Sequence, residues 1–445
     1  VAAVQFFLCG LAAFIVALAL GFSSIAAMYF GFAVSASSTL VVTQHLRSQG
    51  QMFQPFGRLV TGVLLLQDFA IVLVLIVLAA LPRGGGDILM GLGGFSILAV
   101  LAGMAHFVVI PKLTQKFQSD DETLLLLGLA TLFCFVGAAS LLQLPIVAGA
   151  FLAGFSLAAF PVNGLLRGLI GSLSGFFQAL FFTALGMLVT IASWEVLGQA
   201  LLISLVVLFL TPLIVSAVIE FTGQSTRTAI ESGLLLAQVS ELGIILGLLG
   251  VYAGQVSADQ FSVLALVAGI TMTLTPLLAT DQVTWRLMHW HPSRRSRNSM
   301  AKFENHILML GFGSSGMWVV KPLQDAGHRI LIVDDDSAVI EELALLGVPC
   351  LRGDASDEQL LRFAGVHRAR LIITAVPRIG DVLKVLEMVQ GVPVVARVFE
   401  EMDAERIRRA GGMAILNSEA AVRTFLEWFG NFNSSKQSGP PSTDS

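Results

Sequence analysis

The sequence predicts two unlike parts in one chain: a polytopic α-helical membrane domain, then an α/β domain built on a parallel sheet. Three observations predict it. Charge is unevenly spread, with 7 Lys and Arg and 10 Asp and Glu in residues 1–280, against 19 and 20 in residues 281–445. The first part is a succession of apolar segments able to cross a bilayer core of roughly 30 Å. The second alternates short apolar strands with amphipathic stretches, the pattern of a doubly wound sheet. The net charge of −4 says nothing of nucleic acid, and no basic run forms a binding patch. Cys9, Cys134 and Cys350 are scattered, without metal-ligand spacing or a disulfide framework.

Ten apolar segments run over about 1–22, 24–43, 59–81, 88–110, 123–142, 146–160, 171–192, 196–218, 231–250 and 260–280. The chain opens VAAVQFFLCG, with no Met and no charged leader, so it reads as a fragment that starts inside a span and not at a signal peptide. Alternate loops carry Arg47 and Arg58, Lys112 and Lys116, Arg167, Arg227, and the basic run to Lys302; the other set holds Arg83. The positive-inside rule places the first set, and with it the α/β domain, in the cytoplasm.

The third segment, Leu59–Leu81, carries Asp68 near its middle, preceded by Gln67 and with no cation within helical reach. A lone carboxylate at that depth costs several kcal/mol, between about 3 and well above 10. Its charge is removed by a proton or compensated by a cation, and competition between the two is the core of an exchanger. A carboxylate satisfied by buried hydroxyls is the bland alternative. The second segment is interrupted by Ser35, Ser37, Ser38 and Thr39, and the ninth by Gln238, Ser240 and Glu241. Segments one to three and eight to ten start on opposite sides. Interrupted helices in the middle of two inverted triplets point to a transporter core with a midplane site, although small hydroxyl residues also serve plain helix contacts.

Other polar or aromatic residues carry less. His106 reads as interfacial, and Phe176, Phe177, Phe181 and Phe182 as helix packing. Glu195, Glu220 and Glu231 fall at segment ends that water reaches.

The run SASSTLVVTQHLRSQGQMFQPFGRLVTGVLLLQDFAIV resembles the Kef-type potassium/proton antiporters, a branch of the monovalent cation/proton antiporter superfamily. LPIVAGAFLAG, LFFTALGM, LLLAQVSELG and MTLTPLL share that resemblance. It implies the inverted-repeat cation/proton antiporter fold, a homodimer in the bacterial cytoplasmic (inner) membrane, and elevator-like movement of a core domain. It implies that Asp68, beside Gln67, carries the ion or proton, with Ser38 and Thr39 at a crossing of unwound helices facing Gln238 and Glu241. An ancillary regulatory subunit is a further partner it raises. Two departures stand out. Such proteins usually have twelve or thirteen helices, so about three are expected before Val1, and many carry a Lys where this chain has Thr211-Pro212.

Residues 281–304 read as a basic, solvated linker on the membrane surface, with Trp285, Trp290, Arg294, Arg295 and Arg297 suited to headgroups. Residues 305–430 form the Rossmann-like part, with strands expected at HILML, RILIV, VPCL, RLIITAV and PVVARV. Gly311-Phe312-Gly313-Ser314-Ser315-Gly316 follows the first strand and opens a helix, the arrangement that lets backbone approach a pyrophosphate. Asp334, at the end of the second strand, is placed to accept from a ribose hydroxyl; Asp335 and Asp336 read as caps of the next helix. The passage GDASDEQLLRFAGVHRARLIITA resembles TrkA-type nucleotide-binding domains, which implies that Asp354 helps enclose a nucleotide, NAD(H) or AMP. An empty sheet serving as a dimer module is the bland alternative. Residues 431–445 read as a disordered tail.

The expected function is exchange of K⁺, or less readily Na⁺, for H⁺, gated by the nucleotide domain. A ligand-gated potassium channel is disfavoured because no TVGYG-like filter appears. A membrane dehydrogenase is disfavoured because no His or Cys lies near the glycine loop. Whether glutathione acts on the protein is not legible.

Overall fold

The computed structural model describes residues 1–49, 51–52, 55–81, 84–117, 121–158, 162–189, 193–290, 303–312, 316–376, 378–389 and 391–416. It divides into two compact units, Val1–Ile219 with Thr228–Met288, and Glu220–Arg227 with His289–Ser445.

The first unit is helical: α1 (Ala2–Ala19), α2 (Ser24–Ser35), α3 (Thr39–Ser48), α4 (Pro55–Ala80), α5 (Gly85–Met104), α6 (Ile110–Phe117), α7 (Asp121–Leu141), α8 (Ile146–Ser156), α9 (Val162–Leu188), α10 (Trp194–Phe221), α11 (Thr226–Leu235), α12 (Glu241–Tyr252), α13 (Ala258–Leu278) and α14 (Asp281–Trp290). Among the described residues, 7 helical stretches are long and apolar enough to cross a membrane, and Ile146–Ser156, Ser174–Met187 and Glu241–Tyr252 are shorter apolar helices. Together they overlap the ten expected segments. The second segment is two helices, α2 and α3, separated at Ala36–Ser38, and the ninth is α11 and α12, separated at residues 236–240. The α2 helix packs on α1 and α12. At that crossing a Cβ on Gly243 would collide with the Ala33 carbonyl oxygen, so glycine there lets the two broken spans touch.

Three expectations change. Residues 281–290, read as solvated linker, form a helix in which Thr284 is buried. Glu231, read as wetted, is 8% exposed, because α11 starts at Thr226 and carries it more than a turn inside. Phe176 and Phe177 are 65% and 60% exposed rather than packed between helices. They lie on an outer apolar face that lipid tails can cover. A π-helical turn at Ala105–Val109 interrupts the fourth span, and there the His106 ring stacks on Phe155 at 5.5 Å.

The second unit holds β1 (Ile307–Leu310), α15 (Gly316–Asp325), β2 (Ile330–Asp334), α16 (Ser337–Leu345), β3 (Cys350–Arg352), α17 (Glu358–Phe363), β4 (Leu371–Thr374), α18 (Ile379–Met388), β5 (Val394–Val398), α19 (Glu401–Arg409) and β6 (Met413–Leu416). All pairings are parallel, in the order β3-β2-β1-β4-β5-β6. Alternate residues of β1 enter different cores: Leu308 and Leu310 pack with α17 and α18, and Ile307 and Met309 with Val320 of α15 and Leu343 of α16. The sheet is therefore covered on both faces, as parallel sheets require. The sixth strand was not expected from the sequence. The expected tail, 431–445, lies outside the described residues.

Candidate functional site

In the first unit the two helix breaks meet. Each break leaves backbone groups that a continuous helix would pair, and in a bilayer these must find partners inside the protein. The Ser37 hydroxyl donates to the Leu236 carbonyl at 2.7 Å, and the Ser240 N–H donates to the Ala36 carbonyl at 2.9 Å. The Ser37 N–H donates to Gln67 Oε1 at 3.1 Å, so Gln67 props the first break from α4. The second break is held from α13: Val239 N–H donates to Thr271 Oγ1 at 3.2 Å, and Thr275 Oγ1 donates to the Ala237 carbonyl at 2.9 Å.

Ser38 and Ser240 cap the helices that restart, accepting from Val41 N–H at 3.3 Å and Leu242 N–H at 3.1 Å. The N-termini of α3 and α12 thus start at the breaks, where their partial positive charge favours an anion. That anion is Asp68. Its Oδ2 accepts from Thr39 Oγ1 at 2.7 Å, and among the described residues the carboxylate has no ion-pair partner. Asp68 and Glu241 line one cavity of about 700 Å³ with Thr39, Thr43, Gln178 and Arg47. Thr39 and Arg47 lie at opposite ends of α3, so this cavity runs from Asp68 along the whole helix. A half-buried acid with one hydroxyl donor and an open cavity beside it can exchange a proton for a cation.

The expected residues therefore divide. Thr39, Asp68 and Glu241 share the cavity, and Gln67 supports it from behind. Ser38 caps α3, while the neighbouring Ser37 makes the cross-break bond. Gln238 turns back on its own segment, donating to the Leu235 carbonyl at 3.1 Å. Thr271 and Thr275 were missed; their signal is a pair of hydroxyls spaced i, i+4 in an apolar helix. Thr211, where a Lys was looked for, accepts from Cys9 Sγ at 3.7 Å.

In the second unit the C-terminal ends of β1 and β4 adjoin at the point where strand order reverses, the usual place for a ligand in such sheets. Gly311 has φ +74°, a conformation that glycine adopts without strain. A Cβ on Gly316 would collide with the Phe312 ring, so glycine lets the helix start against it. Gly313, Ser314 and Ser315 lie outside the described residues. Asp334 is 8% exposed; its Oδ2 accepts from Phe312 N–H at 2.7 Å and its Oδ1 from Asp336 N–H at 2.9 Å. One oxygen thus already holds the start of the glycine loop to the end of β2, and the other closes the turn that follows β2.

Asp354 Oδ1 accepts from the N–H of Ser356 at 2.8 Å and from its hydroxyl, and Oδ2 lies 3.9 Å from Arg227. Arg227, in the first turn of α11, falls within the residues 220–227 that belong to this second unit, and it donates to Asp381 Oδ1 at 2.6 Å and to Ser356 Oγ at 2.9 Å. Burial pushes the Asp381 carboxyl above the usual carboxylate range, and the Arg227 guanidinium pulls it back.

Comparison with known proteins adds a frame. Residues 1–280 match the family model described as sodium/hydrogen exchanger, transmembrane, and residues 307–418 match that of the TrkA-N domain. A putative K⁺ efflux antiporter KefB of Alkalimonas amylolytica is 26% identical over 433 residues, covering 92% of this chain and 65% of that protein. A glutathione-regulated potassium-efflux system protein KefC of Cronobacter sakazakii is 26% identical over 426 residues, covering 92% and 68%. The chain thus spans about two thirds of the length of these relatives. The TrkA-N domain of the inner membrane protein ybaL from Escherichia coli is 20% identical, with a TM-score of 0.28, covering 29% of this chain and 98% of that one.

Proposed function

Since the chain belongs to the sodium/hydrogen exchanger, transmembrane family, we propose that it exchanges a monovalent cation, K⁺ before Na⁺, for H⁺ across the bacterial inner membrane. The observation that carries this is the Asp68 carboxylate, held by Thr39 alone beside the crossed breaks and open to a cavity of about 700 Å³. Proton and cation compete for that carboxylate. Glu241 adds a second acid on the same wall. The names of the KefB and KefC relatives support K⁺ over Na⁺.

The cytoplasmic unit, in this reading, binds NAD(H) or AMP. Gly311 and Gly316 shape the loop against the phosphates, with Gly313, Ser314 and Ser315 between them, and Asp334 and Asp354 stand at the adjoining strand ends. Asp334 reaches a ribose by accepting through lone pairs beyond those used by backbone. The working form is a homodimer, and an ancillary subunit is a candidate partner.

The test is proton flux in vesicles carrying the purified chain, driven by K⁺ or Na⁺ gradients, with and without NADH, NAD⁺ and AMP. Asp68→Asn should reduce cation-driven flux to the level of empty vesicles while the protein stays inserted. Wild-type rates in that variant would sink the mechanism. Flux and calorimetry indifferent to all three nucleotides would reduce the second unit to a structural module.

A further inference from the structure

The buried face of α1 is Ala2, Gln5, Cys9, Ala13 and Ala17, a stripe at spacings of three and four in which Gln5 is the one amide. Gln5 is 1% exposed, and its Oε1 has no hydrogen-bond partner among the described residues. A buried acceptor left unpaired is costly, the more so in a bilayer, where bulk water is not at hand. Gln67 of α4, also 1% exposed, presents the converse. Its Oε1 accepts from Ser37 N–H, which settles the orientation of the amide, and its Nε2 is buried with no partner among the described residues. The core thus holds an unsatisfied acceptor on α1 and an unsatisfied donor on α4.

Packing brings the two to one level. Ala2 shares a buried cluster with Val60, Val63 and Leu64 of α4. The α2 and α3 helices make one crossing between α1 and α4, so α1 and α4 run the same way through the bilayer. Gln5 is three residues on from Ala2, and Gln67 three on from Leu64, an equal rise of about 4.5 Å on each helix. From the other direction, a Cβ on Gly10 would stand 3.3 Å from the Ser35 Cβ, at the end of α2. The α1 and α2 helices are antiparallel, so Gln5 lies past Ser35, at the level of the first break. The two amides do not bond each other directly, since each is unpartnered. A water between them would accept from Nε2 and donate to Oε1, and buried waters typically sit where about three such bonds are on offer.

We propose that Gln5 is a positioning residue of the exchange site, holding the Gln67 amide, through one ordered water, in the orientation that accepts from Ser37 N–H. The inference rests on exchange at Asp68. The line of effect is short: Gln67 fixes the open backbone at Ser37, two residues before Thr39, and Thr39 donates to Asp68. With nothing to hold its Nε2 side, the Gln67 amide can turn over and set donor against donor at Ser37. The first break then loses its acceptor, and the Thr39 hydroxyl loses its fixed place.

The test is K⁺-driven proton flux in vesicles carrying the purified chain. Gln5→Met keeps a long unbranched side chain and removes the amide. Its half-saturating K⁺ concentration should rise about tenfold, the equivalent of one net hydrogen bond, with the maximal rate unchanged. Gln5→Asn draws the oxygen back by one methylene and should give a smaller rise. Gln67→Met has already lost the Ser37 bond, so adding Gln5→Met to it should change nothing further. A lower maximal rate with unchanged half-saturation would make Gln5 a packing residue and overturn the proposal. Rises that multiply in the double variant would overturn it too, because Gln5 would then act independently of Gln67. If Gln5→Met does not yield folded protein, wild-type half-saturation in Gln5→Asn overturns it instead. Failure of exchange at Asp68 would look different: Asp68→Asn would transport at the wild-type rate. The bridge is then judged by thermal unfolding, where the two Met substitutions should be non-additive, and additive shifts overturn it.

Discussion

Asp68 in the first unit and Asp334 in the second are both acids withdrawn from water, and their surroundings are opposite. Asp334 accepts from two backbone N–H groups, at 2.7 and 2.9 Å, both fixed by the glycine loop and the strand end. Asp68 accepts from one rotatable hydroxyl at 2.7 Å and otherwise faces open space. Hydrogen bonds from fixed amides make a carboxylate part of the fold; one donor and a cavity leave it free to change partner. The difference teaches that a buried acid is read by counting what already satisfies it. Asp334 serves first as a structural acceptor, and Asp68 is the acid left free for the exchange proposed above.

The largest effects should come from Asp68. Asp68→Asn removes the only group in the cavity that combines a negative charge with the Thr39 bond, and cation-driven flux should fall to background. Glu241 lines the same space, so flux that survives in Asp68→Asn and disappears in Glu241→Gln would break the comparison by moving the exchange to the neighbouring acid. Thr39→Val comes next. A hydrogen bond to a charged group contributes about 1.5–3 kcal/mol, so the half-saturating cation concentration should rise by roughly one to two orders of magnitude. Thr39→Ser keeps the hydroxyl and should restore most of the loss. An unchanged half-saturating concentration in the valine variant would show that the bond does not define the site.

Asp334 should respond in stability before it responds in transport. Asp334→Ala leaves the Phe312 and Asp336 N–H groups without their acceptor, which costs about 1–3 kcal/mol for a buried group. Unfolding of the second unit should shift accordingly, while basal exchange in the absence of nucleotide continues. Asp334→Asn retains one acceptor oxygen and should lose less. If Asp334→Ala leaves unfolding unchanged and abolishes basal exchange, the assignment of Asp334 to the fold is wrong.

Much of this contrast is legible in the sequence, in unequal measure. Asp68 stands out because it is a lone acid in an apolar span. The breaks stand out because hydroxyls and amides cluster in mid-segment. Which serine does what is not legible, since Ser37 and Ser38 differ only in the direction each faces once the helix has opened. Thr271 escapes notice because a threonine in a membrane helix ordinarily bonds its own preceding turn, and Thr271 does so too, donating to the Val267 carbonyl at 2.8 Å. Glu231 was misread because its burial depends on where α11 begins and on α14, neither of which hydropathy marks. The sixth strand, Met413–Leu416, hides because Met413 is 63% exposed and Ile415 45%. Pairing with β5, rather than an apolar run, makes it a strand.

The smallest expected effect sharpens the comparison from the side of the second unit, through His306. Its side chain, just before β1, is 3% exposed. Burial pushes its imidazole pKa below the ordinary value of 6.5, with the Ala364 backbone partly offsetting the shift. The unfolded chain therefore takes up a proton below about pH 6.5 that the folded unit resists. Stability from the neutral, buried ring is fully present above that pH and is lost as pH falls through and below it. The slope can reach at most about 1.4 kcal/mol per pH unit for one such group. Denaturant unfolding of the full chain, followed by a probe in the second unit between pH 7.5 and about 5, should show that loss. His306→Phe keeps a ring in the space and removes the titration, so its profile should be flatter over the same window. The exchange rate of His306→Phe should follow the wild-type pH profile, because in the proposed mechanism the transported proton binds at Asp68. A transport profile displaced by His306→Phe, with unfolding unchanged, would place a functional proton in the second unit and end the distinction between the two acids.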